Sequence, residues 1–202
     1  HAPVTNAATI RIMLTLMLMG NMTAEVVDVK GAFLKGDIED GEEIHMKIPQ
    51  GWEHHYKEDE VLKLKSCLYG LKQAAMAFWR QLLVCMTDMK MKRSTADPCL
   101  YFNWTEDGLA IVVSWIDDNL IIGSAKAVAR TKKELTARFD CEECGELDEY
   151  VGCKITRIGK SALKITQPVI IQSFSDEFDL PNRGCPTPAK MGNVLTKADE
   201  SD

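Results

Sequence analysis

Two adjacent carboxylates, Asp117 and Asp118, stand between two strongly apolar stretches, and no other feature narrows the possible folds as much. Leu109-Ala-Ile-Val-Val-Ser-Trp-Ile116 runs in and Leu120-Ile-Ile-Gly123 runs out. Both runs are β-branched or aliphatic and of strand length, and Asp-Asp-Asn is turn chemistry. The segment therefore reads as a β-hairpin with a pair of acids at its tip. An ionised carboxylate beside so much apolar surface is costly unless water, a hydrogen bond or a cation compensates it. The hairpin alone leaves two readings open: a turn that uses Asp because Asp tolerates turns, or part of a metal site.

A second acid favours the metal. Glu25-Val-Val-Asp28-Val-Lys-Gly-Ala-Phe-Leu34 again places one Asp inside a strand-like apolar run. Side chains alternate across a strand, so Val27 and Val29 share one face and Asp28 the other. Neighbouring strands lie about 4.8 Å apart. If the Asp28 strand runs beside the hairpin, Asp28 and a tip carboxylate can reach a common pair of cations. Two-metal phosphoryl-transfer sites need divalent ions roughly 3.5–4 Å apart, held by carboxylates that need not be close in sequence. Mg²⁺ suits such a site because it prefers hard oxygen ligands and retains water and substrate phosphates in its shell.

Several blocks in order carry a family resemblance. They are Val27-Asp-Val-Lys-Gly-Ala-Phe-Leu-Lys-Gly36, Ile44-His-Met-Lys-Ile-Pro-Gln-Gly-Trp52, Leu68-Tyr-Gly-Leu-Lys-Gln-Ala74, Ala96-Asp-Pro-Cys-Leu-Tyr101 and Trp115-Ile-Asp-Asp118. Phe139 to Gly152 and Gln167 to Phe178 extend the match, as does His1-Ala-Pro-Val4. Together they resemble the reverse transcriptase of copia-type LTR retrotransposons over about residues 1 to 188. The resemblance implies an RNA-directed DNA polymerase that uses two Mg²⁺ ions, with Mn²⁺ as a possible substitute. Asp28, Asp117 and Asp118 would be its catalytic, metal-binding aspartates, Asp117 more directly than Asp118. Phe33 would lie beneath the incoming sugar and exclude a ribose 2′-hydroxyl. Tyr69 and Gly70 would border the nascent base pair, and Lys72 and Gln73 would lie near template or triphosphate. Tyr150, Val151 and Gly152 would belong to the primer grip. Implied partners are an RNA or DNA template with primer, deoxynucleoside triphosphates, and the fingers and ribonuclease H regions of the same polyprotein. The implied location is intracellular, in a cytoplasmic virus-like particle with a possible nuclear phase.

The expected fold is α+β, a polymerase palm of split βαβ (ferredoxin-like) type, with part of the fingers and the start of the thumb. Residues 1–180 would form that unit and 181–202, with Cys185-Pro-Thr-Pro188, a linker or tail. The coarse order is a helix at about 8–20, a strand at 24–30 and an irregular stretch with short strands near 44–48 and 60–65. A long helix at 72–92 carries Leu71, Ala75, Phe78, Trp79, Leu82, Leu83 and Met86. Strands near 99–104, 109–116 and 119–123 precede a helix at 125–139, a Gly-punctuated hairpin at 148–165 and a helix at 167–179. Strand–helix–strand–strand–helix–strand is the split βαβ order.

Composition adds constraints. The net charge of −6 is unusual for a nucleic-acid binder, because phosphate contacts come from Lys and Arg. The basic runs Lys63-Leu-Lys65, Lys90-Met-Lys-Arg93 and Arg130-Thr-Lys-Lys133 read as solvated faces. Seven cysteines without regular spacing point to a reducing compartment. Cys141-x-x-Cys144 with Cys153 invites a zinc reading, but no histidine beyond His55 supplies the fourth ligand. Arg11 and the apolar run to Met19 imitate a secretory signal, yet the run is far short of the roughly 20 residues a membrane span needs. A buried helix is expected there, with no membrane contact.

The sequence also departs from the copia pattern. Trp115 and Ile116 stand where Tyr and Val are usual, and Ala75 and Met76 replace Pro-Arg. No Lys or Arg lies between Phe139 and Tyr150 to act as general acid toward pyrophosphate. The chain also reads as a fragment, without the basic fingers segment, most of the thumb and the ribonuclease H. Two other functions therefore stand beside the polymerase. One is a catalytically inactive remnant of such a domain; the other is an RNA-binding module on a similar sheet, with Tyr101, Phe102 and Trp104 as stacking aromatics.

Overall fold

The computed structural model describes residues 2–178, the side chains of residues 143 and 144 excepted. They fall into two compact units that divide between Thr166 and Gln167. In chain order the elements are α1 (Ala7–Met19), β1 (Thr23–Val29), β2 (His45–Lys47), β3 (Val61–Lys63), α2 (Ala74–Asp88) and β4 (Lys92–Arg93). There follow β5 (Leu100–Thr105), β6 (Gly108–Trp115), β7 (Asp118–Gly123), α3 (Ala125–Arg138) and β8 (Cys141–Glu146). Next come β9 (Glu149–Tyr150), β10 (Cys153–Ile158), β11 (Ala162–Thr166) and, in the second unit, α4 (Pro168–Glu177). The fold is mixed α and β, as expected, and the expected tail at 181–202 lies outside the described residues.

A six-stranded sheet in the order β4-β5-β6-β7-β1-β8 organises the first unit. Every neighbouring pair is antiparallel, and β1, α2, β6, β7, α3 and β8 follow the split βαβ order. Strand alternation sends Val27, Val29, Ala110, Val112 and Ile121 to one face, where α2 and α3 cover them. Ala24, Val26, Ile111, Val113, Leu120 and Ile122 go to the other, against Leu14 and Met17 of α1 and Tyr150 and Ile155 of the β9–β10–β11 sheet. Burial on both faces explains why β6 and β7 are written as unbroken apolar runs. In α3, Ser124 caps the N-terminus, its hydroxyl accepting from the Ala127 amide, and Ala127, Val128, Thr131 and Leu135 form the buried stripe.

Four expectations need correction. The long helix stops at Asp88, not 92, because Lys90 takes a left-handed backbone (φ +59°) and Met91 N–H closes back on the Met86 carbonyl. The N-terminal helix is buried on one face only: Ile12, Leu16 and Met19 are exposed. The segment at 148–165 is a three-stranded meander rather than a simple hairpin. Finally, β8 is a strand where none was expected, its charged residues marking it as a protected sheet edge. Among the described residues no helix is long and apolar enough to cross a membrane.

Asp97, buried to 3% exposure, ties α1 to the turn before β5. Its carboxylate accepts from Thr9 Oγ1 (2.6 Å), the Asn6 amide (3.0 Å) and the Cys99 amide (2.9 Å). Burial by itself raises the pKa, but these three donors outweigh it and hold the group below the usual carboxylate range. A depressed folded value means that the stabilisation is complete above the unfolded value of about 3.9 and is lost as pH falls through the folded one. Asp97→Ala should cost about 2–4 kcal/mol in urea denaturation at neutral pH. That cost should shrink in acid below about pH 3, and a pH-independent difference would contradict the assignment.

Candidate active site

Asp118 pairs with Trp115 across the β6–β7 hairpin, so the two-residue turn is Ile116-Asp117. The acids are therefore not both at the tip: Asp117 sits in the turn and Asp118 opens β7. Ile116 has φ +57°, a left-handed backbone that is a clear outlier for a β-branched residue. Its place is where a type II′ hairpin turn prefers Gly. The turn is held from three sides. The Asp117 carbonyl accepts from the Val29 amide (3.0 Å) and from Asn119 Nδ2 (2.8 Å), and Ser114 Oγ donates to the Ile116 carbonyl (3.4 Å). Asn119 is fully buried and was not singled out from sequence; its place directly after the acid pair was the available signal.

Asp28 lies directly opposite Asp118 in the β1–β7 register, on the face shared with Val26 and Leu120. Directly opposed residues of an antiparallel pair have Cβ atoms about 4.5–5.5 Å apart. On its other side Asp28 faces Glu142 of β8, after a register shift between Val26 and Val27. Glu142 was missed because its strand was missed. The electrostatics reflect this crowding. Asp118 is pushed up to about 6, by burial first and then by the charges of Asp117, Asp28 and Glu149. Asp28 is also raised, by burial and then by Asp117 and Glu142, with Lys30 opposing.

The donor set is oxygen-only and mutually repelling, which suits a hard divalent cation such as Mg²⁺ or Mn²⁺. Among the described residues no three His, Cys, Asp or Glu side chains are gathered tightly enough to hold a metal ion by themselves. A polymerase-type site does not require such a cage, because water and substrate phosphates complete the shell. Cys141 lies on β8 and Cys153 on β10, and the Cys144 side chain lies outside the described residues.

The remaining sequence-predicted residues are distributed as follows. Phe33 sits in a short 3₁₀ turn, Ala32–Lys35, entered through Gly31 at φ +60°; its ring meets that of Tyr69 at 5.1 Å between centroids. Gly70 has φ +92°, a conformation that requires glycine even though a Cβ would meet open space. Lys72 is exposed, and Gln73 precedes α2 with its amide donating to Glu42 Oε1 (3.0 Å). The Gln73 amide thus pairs with Glu42 rather than with Asp28, Asp117 or Asp118. Val151 (φ +50°) and Gly152 (φ +67°) form the two-residue turn between β9 and β10. Tyr150 is buried, its hydroxyl donating to the Val113 carbonyl (2.9 Å), so its side chain anchors the turn from within. Burial first, and then the charge of Asp118, raise the Tyr150 pKa. Tyr101 is wholly buried between sheet and helices, which removes it from any stacking platform; Phe102 and Trp104 are exposed.

The family model described as reverse transcriptase (RNA-dependent DNA polymerase) matches residues 1–191. The chain belongs to this family. It is 35% identical over 184 residues to a retrovirus-related Pol polyprotein from transposon TNT 1-94 of Nicotiana tabacum, covering 90% of this chain and 14% of that protein. A Pol polyprotein from transposon RE2 of Arabidopsis thaliana is 28% identical over 158 residues, 78% of this chain and 11% of that protein. A putative transposon Ty5-1 protein of Saccharomyces cerevisiae is 27% identical over 155 residues, 76% of this chain and 50% of that protein. The copia-type resemblance thus stands, and this reverse transcriptase domain spans only a small part of the polyproteins it matches.

The raised Asp118 pKa gives a signed expectation. Between the unfolded value of about 3.9 and the folded value of about 6, the folded chain binds a proton that the unfolded chain does not. This group's contribution therefore makes stability fall as pH rises across that window. In metal-free buffer, Asp118→Asn should flatten the slope and stabilise the fold near pH 7 by about 1–2 kcal/mol. Chemical denaturation in EDTA, at about pH 5 and about pH 7.5, measures it; an unchanged slope would exonerate this carboxylate.

Proposed function

We propose that this domain is an RNA-directed DNA polymerase that extends a primer with deoxynucleotides by two-metal nucleotidyl transfer. The reading is carried by one observation: Asp28 and Asp118 are opposed on neighbouring strands, with the Asp117 carbonyl hydrogen-bonded to the amide next to Asp28. Asp28, Asp117 and Asp118 would hold the cations, and when bound these would lower the pKa of the primer 3′-hydroxyl and offset charge on the leaving pyrophosphate. In the reaction the 3′-oxygen forms a bond to the α-phosphorus, the bond from that phosphorus to the bridging oxygen breaks to release pyrophosphate, and the hydroxyl proton passes to water. The protein's share is positioning and charge neutralisation. Tying the Asp117 backbone to Val29 and Asn119 fixes the acids before substrate arrives, so little reorganisation is needed at reaction.

In this reading the six-stranded sheet with α2 and α3 is the palm, residues 33–73 belong to the fingers and α4 begins the thumb. Phe33 would face the incoming sugar, Tyr69 and Gly70 the nascent pair, and Lys72 and Gln73 the template or triphosphate. The Val151-Gly152 turn would touch the primer, with Tyr150 as its internal anchor. Template, primer and deoxynucleoside triphosphates would be the substrates, inside a cytoplasmic particle, and other regions of a Pol polyprotein the partners.

Two observations favour a second reading, an inactive remnant that keeps the fold. Glu142, an anion, faces Asp28, and no cation lies between Phe139 and Tyr150 to meet pyrophosphate. Incorporation of dTTP on a homopolymer template, in Mg²⁺ and then Mn²⁺, separates the two. Asp117→Asn should reduce incorporation at least about a hundredfold while leaving the melting curve intact. With fingers and thumb regions restored to the wild-type chain, absent incorporation in both metals would select the remnant.

A further inference from the structure

We infer that Tyr69 is a positioning residue that acts through Phe33: its ring holds the Phe33 ring in place and so sets the sugar preference of the nucleotide site. This rests on the reading of Phe33 as the residue beneath the incoming sugar. Phe33 is half-buried, its ring packed at the junction of two apolar clusters, one under the main sheet and one around Cys67, Ala74 and Ala77. The Tyr69 ring meets it at 5.1 Å and 59°, within the tilted range favoured by aromatic pairs. Tyr69 itself is 60% exposed, and its hydroxyl makes no hydrogen bond among the described residues. The contact with Phe33 is therefore the interaction that ties this ring to the fold.

The two loops that carry these rings are joined by backbone. The Cys67 amide donates to the Gly36 carbonyl (3.0 Å), and Cys67 is fully buried. Gly36 lies so close to α2 that an added Cβ would stand 2.7 Å from the Ala77 Cβ, so the Phe33 loop is seated on the helix. Leu71 packs into the same cluster as Phe33, and the chain turns at Gly70, φ +92°, directly after Tyr69. Tyr69 is thus presented to Phe33 from a frame that shares the same foundation. A half-exposed aromatic ring without this neighbour would exchange rotamers on the picosecond-to-nanosecond scale. A ring that moves aside no longer collides with a 2′-hydroxyl, and discrimination falls by the fraction of time it is displaced. The interaction of such a ring pair corresponds to about a two- to twelvefold bias between rotamers.

The test reads binding, with chemistry blocked. A primer ended by a dideoxynucleotide, on its template with Mg²⁺, is bound by the chain and challenged with heparin. The concentrations of dTTP and of ribothymidine triphosphate that retain half of the complex are then compared. Wild type should favour the deoxy form, and Phe33→Ala should lower that preference. Tyr69→Ala and Tyr69→Leu should lower it about two- to twelvefold, mainly by admitting the ribonucleotide, while Tyr69→Phe keeps it. Two substitutions guard against a folding artefact, and circular-dichroism melting checks each. An unchanged ratio in both, alongside a fall in Phe33→Ala, would overturn the role of Tyr69 alone. Equal weakening of both nucleotides would make Tyr69 a direct contact and likewise overturn it. No sugar preference in wild type, no retained complex, or no effect of Phe33→Ala would instead overturn the sugar-gate reading beneath it.

Discussion

The pairing of β1 with β7 in the register that opposes Asp28 to Asp118 is the constraint on which the rest of the structure depends. β1 lies inside the sheet, between β7 and β8, and both of its faces are covered. A one-residue slip in an antiparallel pair would exchange every side chain between faces. Val27 and Val29 would then leave α2 and α3, and Glu25 would lose Lys132, whose Nζ stands 2.7 Å from its carboxylate. Apolar packing along the strand therefore fixes the register, and the register delivers the carboxylates to one row. The acids depend on the core for their placement while weakening it through their own repulsion.

That tension is also visible in the backbone. Ile116 and Val151, both β-branched, adopt left-handed conformations in two-residue hairpin turns. Each such residue costs about 1–3 kcal/mol and persists only where its surroundings over-determine it. Around Ile116 the surroundings are the Val29 amide, Asn119 and Ser114. Around Val151 they are the buried Tyr150 and its hydrogen bond to Val113, a residue of the strand that leads into the acid turn. Both strained turns are thus braced from β6, through Ser114 for one and the Val113 carbonyl for the other.

What the sequence made legible follows from how strongly each segment is buried. β6, β7 and α3 were readable because two-sided burial writes continuous apolar runs and one-sided burial writes a helical stripe. β8 was not, since an edge strand carrying Glu142 and Glu146 has neither pattern and is specified by its pairing with β1. The end of α2 was misjudged because Met89 and Met91 continue the apolar spacing past a left-handed Lys90. Asp28 was identifiable as an acid in a strand, but only the fold shows that Glu142 flanks it. The burial of Tyr150 was not legible either, because burial of a tyrosine depends on which carbonyl its hydroxyl can reach.

The acidic balance of the chain bears on how such a domain meets nucleic acid. Its basic runs are partly engaged within the protein: Lys63 pairs with Glu43, Arg130 lies 3.6 Å from Asp107 and 3.9 Å from Glu134, and Lys132 holds Glu25. Arg93 lies over the Trp79 ring at 5.6 Å. The exposed Lys63–Glu43 pair adds little to stability, but each such pairing reduces the charge available to a phosphate. The end of the sheet that carries Asp28, Asp117, Asp118 and Glu142 is then a concentration of negative charge, which would repel a polyanion. Such an end attracts phosphate only after its own charge is neutralised. Divalent cations bound there would serve association as well as chemistry, and the oxygen-rich row is what makes their binding favourable.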